Sequence, residues 1–423
     1  MVAQIDTVDM QALGQRAKTA SSALRQFDTA AKNDALRAIA DAIDANSAAI
    51  LAANAADMED GRAAGLTSAL LDRLNLAKRL AGVTADVRRV AELPDPVGIE
   101  FEQQTLPNGL QIRKRRVPVG VLGVIYESRP NVTVDVAALA LKTSNAVILR
   151  GGSETLRSNI ALVDTIKEAL TSVGFPADAV VLIRDQDRRY VAELLKLSDT
   201  VDMIIPRGGN RLHTFCRENS TIPVITGGIG ICHLYVDDTA DLDAAVNIVQ
   251  NAKVQRPSVC NALDTLLVQE SIADQVVPRV IERLAQDGVQ FRLDGRAMAL
   301  ANGSDNVQPA GEGDWDIEWL DLILGIRVVP DLSAAIQHIQ THGTAHSDGI
   351  LTSDPASMER FLNEIDSAAV YVNASTRFTD GSQLGLGAEI AISTQKLHAR
   401  GPMGLAELTT YKWIIIGEGH VRP

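Results

Sequence analysis

The stretch Val254-Gln255-Arg256-Pro257-Ser258-Val259-Cys260-Asn261-Ala262-Leu263 changes backbone habit within one short run. Upstream, Asp241 to Lys253 carries apolar residues at helical spacing, and Pro257 cannot continue a helix. Downstream, Ala262-Leu263-Asp264-Thr265-Leu266-Leu267-Val268 reads as a strand. Helix, turn and strand in succession point to an α/β chain. A cysteine on such a turn can expose its sulfur. Its own N–H can then point at an oxygen on the carbon that the sulfur attacks, as covalent catalysis requires. Lys253 and Arg256 are close in sequence and could lower the Cys260 thiol from its ordinary pKa of about 8.5. A lone cysteine is ordinarily a buried structural residue, so the rest of the chain must decide.

Outward from that turn, residues 8 to about 92 read as helical, with Ala30–Ile43 and Ala48–Ala56 as clear segments. Breaks are expected at Gly61 and Gly65, and a last helix runs to Leu93. Two extended runs, Glu100–Leu106 and Leu110–Val117, flank Pro107-Asn108-Gly109, a hairpin signal. From Val119 strands and helices alternate. Strands are expected at Val119–Tyr126, Ala146–Leu149, Val180–Ile183, Met203–Ile205, Val224–Thr226 and Cys232–Val236. Helices are expected at Val132–Lys142, Leu156–Ser172, Arg188–Leu197 and Asn210–Glu218. Short continuous apolar strands suit a parallel sheet covered on both faces, with ligands at the strands' carboxyl ends. The alternation repeats from about Asp237, with strands Ile323–Val329, Gly349–Ser353 and Ala368–Val372 and helices Leu332–Thr341 and Ala356–Glu364. The β-prone end Leu408–Ile416 would be an aggregation hazard if left as a bare edge, so it predicts a homo-oligomer.

The 423 residues suggest two or three domains. Lys plus Arg is 40 against 53 Asp plus Glu, a net charge of −13, which argues against nucleic acid as a partner. Cys216, Cys232 and Cys260 form neither a disulfide framework nor a metal pair, so no metal is expected and a reducing compartment is. Met1–Met10 has no apolar core and is not read as a signal peptide. No apolar run approaches a membrane span, and a cytoplasmic location is the default expectation.

Glycine pairs follow three expected strands, in Arg150-Gly151-Gly152-Ser153-Glu154, Arg207-Gly208-Gly209-Asn210-Arg211 and Thr226-Gly227-Gly228. Each alone is an ordinary turn. Two flanked by arginines, with helix starts behind them, suggest phosphate contacts.

The run Pro118-Val119-Gly120-Val121-Leu122-Gly123-Val124-Ile125-Tyr126-Glu127-Ser128-Arg129-Pro130-Asn131-Val132-Thr133 resembles the gamma-glutamyl phosphate reductase family, a branch of the aldehyde dehydrogenase superfamily. So do Leu141–Gly152, Ile205–Gly209, the Cys260 segment, Tyr371–Gly381, Leu384–Ile390 and Arg400–Leu405. The resemblance spans about residues 10 to 420. It implies two Rossmann-like parallel-sheet α/β domains plus a small β element for oligomerisation. Residues 1–98 and 118–236 would bind NADP, 237–395 would carry the nucleophile, and 99–117 with 396–423 would serve assembly. It implies NADPH-dependent reduction of L-glutamyl 5-phosphate to glutamate 5-semialdehyde, with Cys260 forming a thioester. The Cys260 N–H is one oxyanion donor and Asn131 the second, although the spacing in hydrolytic relatives lands nearer Glu127.

Hydrolytic relatives carry a glutamate two residues before a Gly-Gly; here Ile225 stands there and cannot activate water. Arg150, Gly151, Gly152 and Ser153 occupy the place of a Lys-Pro-Ser-Glu motif, which favours NADP(H), with Arg150 on the 2′-phosphate. Arg207, Gly208, Gly209, Gly228 and Glu318 complete the implied cofactor set, Glu318 by resembling a residue that positions the nicotinamide ribose. Arg129, Arg211, Ser375, Thr376, Arg377 and Gly387 are implied to hold the acyl phosphate substrate. A glutamate 5-kinase partner is plausible because acyl phosphates are labile. The alternatives are a CoA-acylating aldehyde dehydrogenase and a non-catalytic nucleotide-binding member.

Overall fold

The computed structural model describes residues 8–301 and 303–422. The opening segment 1–7, part of the stretch read above as no signal peptide, lies outside them. In chain order the strands are β1 (Glu100–Thr105), β2 (Gln111–Pro118), β3 (Val121–Tyr126), β4 (Ala146–Arg150), β5 (Val180–Leu182), β6 (Met203–Arg207), β7 (Cys232–Val236), β8 (Leu263–Gln269), β9 (Gln290–Leu293), β10 (Val307–Pro309), β11 (Ile323–Val329), β12 (Ser347–Leu351), β13 (Ala369–Val372), β14 (Ala391–Ser393), β15 (Gly401–Met403) and β16 (Thr409–Ile416). The chain divides into two compact units. One holds Met1–Thr226, Gly385–Ala391 and Met403–Pro423; the other holds Gly227–Leu384 and Ile392–Pro402.

In the first unit, β5-β4-β3-β6 form a parallel sheet. Its strands are buried throughout except at Arg207, the residue ending β6, so they read as unbroken apolar runs. Strand order reverses at β3, which puts the loops after β3, β4 and β6 at one edge. Helices Thr29–Ala45 and Leu80–Glu92 pack on each other, and Asp28 caps the first by accepting from the Ala31 N–H. Gly61 does not break its helix, which runs Ser47–Ala63. The glycine is there for packing: an added Cβ would press on Leu66 and Leu71 at 3.1 and 3.3 Å. The expected strand at Val224–Thr226 reduces to one bridge between Ile204 and Val224, because the chain leaves the sheet after Ile225.

β1 and β2 form the expected hairpin, turned by Gly109 at φ +90°. β16 adds antiparallel to β2 along its whole length, making the sheet β1-β2-β16. The terminal strand thus finds one partner within its own chain and keeps its other edge at the sheet margin.

The second unit holds a parallel sheet, β10-β9-β11-β8-β7-β12-β13. β7 belongs here, paired with β8 and β12, and not with the first sheet as the alternation suggested. Asp241 caps the helix Leu242–Val254 by accepting from two backbone N–H groups. That helix buries Ala245, Val246, Val249 and Ala252 in one core with the helix Ala273–Ala285 and strands β8, β9 and β11. Lys253 lies on the same buried face.

Candidate active site

Cys260 sits on the turn between the helix Leu242–Val254 and β8. It is half-buried, whereas Cys216 and Cys232 are fully buried. Two neighbours define its seat. Cys232 donates its thiol to the Cys260 carbonyl at 3.2 Å. Gly230 lies flat against that carbonyl, so an added Cβ would overlap it. On the other flank, the backbone that follows β13 laces the turn. The Thr376 hydroxyl donates to the Asn261 carbonyl at 2.7 Å, and the Asn261 amide donates to the Thr379 and Arg377 carbonyls at 2.9 and 3.3 Å. Arg377 donates to Gln255 at 2.8 Å and to the Asn261 side chain.

Beneath the turn, the Asp264 carboxylate accepts from the Trp319 N–H at 3.1 Å and the Cys232 N–H at 3.4 Å. Lys253 lies 3.7 Å from it, fully buried, an ion pair beyond hydrogen-bond range. Burial pushes the Asp264 carboxyl up to about 6 against the pull of Lys253, and burial lowers Lys253. Lys253 therefore faces Asp264 and Cys232. Arg377 is a nearby cation that interacts electrostatically with Cys260, with Arg256 close to Arg377. Glu318 accepts from the Gly230 N–H at 3.0 Å. The Glu318 segment and the nucleophile turn thus share two anchors, Gly230 and Asp264. In this sheet the chemistry gathers at the amino ends of β7 and β8. Gly227 and Gly228 lead into it, with Gly227 close against the Ile392 carbonyl.

The first unit holds the glycine loops. The Gly209 N–H donates to Glu127 at 3.0 Å, joining the loops after β3 and β6. Gly208 has no room for a side chain because the Glu127 carboxylate fills it, while the space beside Gly209 is open. After β4, the Glu154 carboxylate accepts from the Ser128 N–H and hydroxyl at 2.8 and 2.6 Å and closes the space beside Gly152. Arg150 is buried rather than a surface arginine. Its guanidinium donates to the Gly151 carbonyl and, at 2.8 Å, to the Gln186 carbonyl, and burial lowers its pKa. Ser153 is exposed. Of these glycines only Gly209 has open space beside it, and the carboxylates of Glu127 and Glu154 at the carboxyl ends of β3, β4 and β6 suit hydroxyl donors.

Asn131 opens the helix Asn131–Lys142, and its amide donates to Asp135 at 2.9 Å. Burial pushes the Asp135 carboxyl up to about 6. Arg129 and Arg211 are exposed in the first unit. Gly387, at φ +77°, also belongs to that unit and lies tight against Leu93. Of the late-chain residues, Thr376 and Arg377 bond to Asn261, the neighbour of Cys260, while Ser375 is buried and caps the short turn Thr376–Phe378. Ile225 is buried and offers no carboxylate. Among the described residues no group of His, Cys, Asp or Glu is placed to hold a metal ion.

Gly230, Asp264 and Glu154 are not singled out by the sequence, and Glu127 and Cys232 stand out there without the contacts they make. Of the first three, Asp264 alone left a signal, as a lone charge inside an apolar strand.

A two-unit parallel α/β chain with a half-exposed cysteine on a glycine-backed turn defines a class, and the comparisons agree with it. A model of the aldehyde dehydrogenase family matches residues 1–297, and the chain belongs to that family. Among curated relatives, gamma-glutamyl phosphate reductase of Psychromonas ingrahamii is 58% identical over 98% of this chain and 100% of that one. The Vibrio parahaemolyticus enzyme of that name is 57% identical over 96% and 98%. The crystal structure of gamma-glutamyl phosphate reductase from Thermotoga maritima matches with a TM-score of 0.96 at 46% identity, covering 98% of this chain and 100% of that one.

Proposed function

We propose that this chain reduces L-glutamyl 5-phosphate to L-glutamate 5-semialdehyde and phosphate, the second step of proline biosynthesis, with NADPH as donor. The observation that carries it is Cys260, half-exposed on its turn, in a chain 54–58% identical to curated gamma-glutamyl phosphate reductases. The Cys260 thiolate attacks the acyl carbon, the carbon–oxygen bond to phosphate breaks, and phosphate leaves a thioester on sulfur. The Cys260 N–H, with Asn131, is the proposed donor pair for the oxyanion. The bound nicotinamide supplies the hydride. Cleavage of the carbon–sulfur bond then releases the aldehyde and restores the thiolate. Ile225 leaves no base to hydrolyse the thioester early.

Residues 1–98 and 118–226, the stretch to 236 having joined the second unit, are proposed to hold the cofactor, through Arg150, Gly151, Gly152, Ser153, Arg207, Gly208, Gly209 and, from the second unit, Gly228 and Glu318. Ser153 in place of a carboxylate supports NADP over NAD. Residues 237–395 carry the chemistry, with Arg129, Arg211, Ser375, Thr376, Arg377 and Gly387 for the substrate. Residues 99–117 and 396–423 serve homo-oligomer assembly. A kinase that makes the acyl phosphate is the proposed partner. No helix among the described residues is long and apolar enough to cross a membrane, and three cysteines that form no disulfide suit a reducing cytoplasm.

The test runs the reaction backwards with semialdehyde, phosphate and NADP. Wild type should form NADPH only when phosphate is present, and Cys260→Ala should fall to background. Turnover that needs coenzyme A instead of phosphate would favour the CoA-acylating reading. No turnover with either would favour a non-catalytic one.

A further inference from the structure

We infer that Arg377 aims and ionises the nucleophile, clamping both ends of its turn and setting a fixed positive charge within electrostatic reach of the Cys260 sulfur. This role rests on Cys260 being the nucleophile and goes beyond the substrate contact assigned to Arg377 above. The turn runs from Gln255 to Asn261, and the Arg377 guanidinium donates to the side chains of both. The Asn261 amide donates back to the Arg377 and Thr379 carbonyls. A planar fork held at two points is pre-organised, as a lysine cannot be.

Acidic groups crowd the thiol that backs the Cys260 carbonyl. Cys232, which donates to the Cys260 carbonyl, faces Asp264, Asp348 and Glu318, all acidic. Lys253 is spent on Asp264. On the open side the charged groups facing Arg377 are Arg256 and Asp380, besides the two cysteines. Arg256 is exposed and therefore screened, whereas Arg377 is half-buried and interacts electrostatically with Cys260. Arg377 acts through the turn and through space, so it is a positioning residue.

The experiment measures iodoacetamide alkylation of Cys260 against pH in the full-length enzyme, with Cys260→Ala as blank. It compares wild type, Arg377→Gln and Arg377→Lys and adds kcat and KM for each. Arg377→Gln should move half-maximal alkylation up by about one pH unit, a roughly tenfold slower reaction near neutrality. Arg377→Lys should keep most of the wild-type alkylation profile but lower kcat, because the charge stays and the two-point clamp goes. Should Arg377→Gln fail to fold, the lysine variant decides: a strongly shifted profile there overturns the inference. A wild-type profile in Arg377→Gln with only a raised KM would also overturn it, leaving Arg377 a substrate ligand. Wild-type Cys260 reacting no faster than an ordinary thiol would instead defeat the nucleophile reading itself.

Discussion

Gly230 shows how tightly the nucleophile turn is backed. A methyl group there would overlap the Cys260 carbonyl oxygen, which is backbone and cannot swing aside. Gly230→Ala should therefore push the turn out of place and cut kcat by roughly 10²-fold, the penalty for about 1 Å of misplacement, while KM moves little. Steady-state kinetics checks this; unchanged kcat would mean the turn has slack. Asp135 bears on pH. Burial holds its carboxyl near 6, above the ordinary 3.8. The folded chain therefore binds that proton more tightly than the unfolded chain. Stability from this group is complete below about 3.8 and is lost as pH rises through 6. At neutral pH the ionised carboxylate costs on the order of 1–3 kcal/mol. Asp135→Asn should melt above wild type at pH near 7.5, and the gap should close near pH 4, as thermal melts would show. A gap that widens toward acid would refute the sign.

Among the elements, β16 leaves Tyr411, Trp413, Ile415 and Ile416 exposed on a strand whose outer edge stands at the margin of its sheet. Lys114 covers part of Tyr411 and Trp413, its ammonium 4.6 and 4.9 Å from the ring centres. Such an edge invites pairing. Replacing Ile415 with Glu and Trp413 with Lys should lower the particle mass seen by light scattering. A wild type that stays monomeric at every concentration would remove the basis for the proposed oligomer. Elements with local signals were legible in the sequence: the helix stopped before Pro257, the Asn-Gly hairpin, and the buried strands β3, β4 and β11. The helix Ala273–Ala285 was missed although Val276, Val277, Val280, Ile281 and Leu284 carry its period. Pro278 sits inside it and masks the pattern. β9 and β10 were missed because they are short and lie among turns. β7 was placed in the wrong sheet because strand pairing is decided by contacts distant in sequence. The same reason hid part of the site. Cys260 announces itself by its punctuation, whereas Cys232 matters through Cys260 and Asp264, 28 and 32 residues away, and Asp264 also through Trp319, 55 residues away.

For the molecule as a whole, a net charge of −13 meets a substrate and a cofactor that are themselves anions. Long-range repulsion should slow their approach at low salt, with Arg207, Arg256 and Arg377 acting only at short range. Raising ionic strength from about 0.01 M to about 0.15 M shortens the screening length from about 30 Å to about 8 Å. Expected is a rise in kcat/KM of up to about threefold; a steep fall would show that local arginines dominate the field. The β1-β2-β16 sheet has a different consequence, one of timing. Arg116 on β2 donates to Thr409 on β16 across 293 residues of sequence. On a ribosome the hairpin emerges first and must wait for its third strand through roughly 15 to 60 s of synthesis. Throughout that interval β2 offers a bare row of amides to any nascent neighbour. The basic run Arg113-Lys114-Arg115-Arg116, only partly neutralised by Glu100 and Glu102 of β1, would then serve as a gatekeeper, its remaining positive charge repelling a second copy until the chain's own tail arrives.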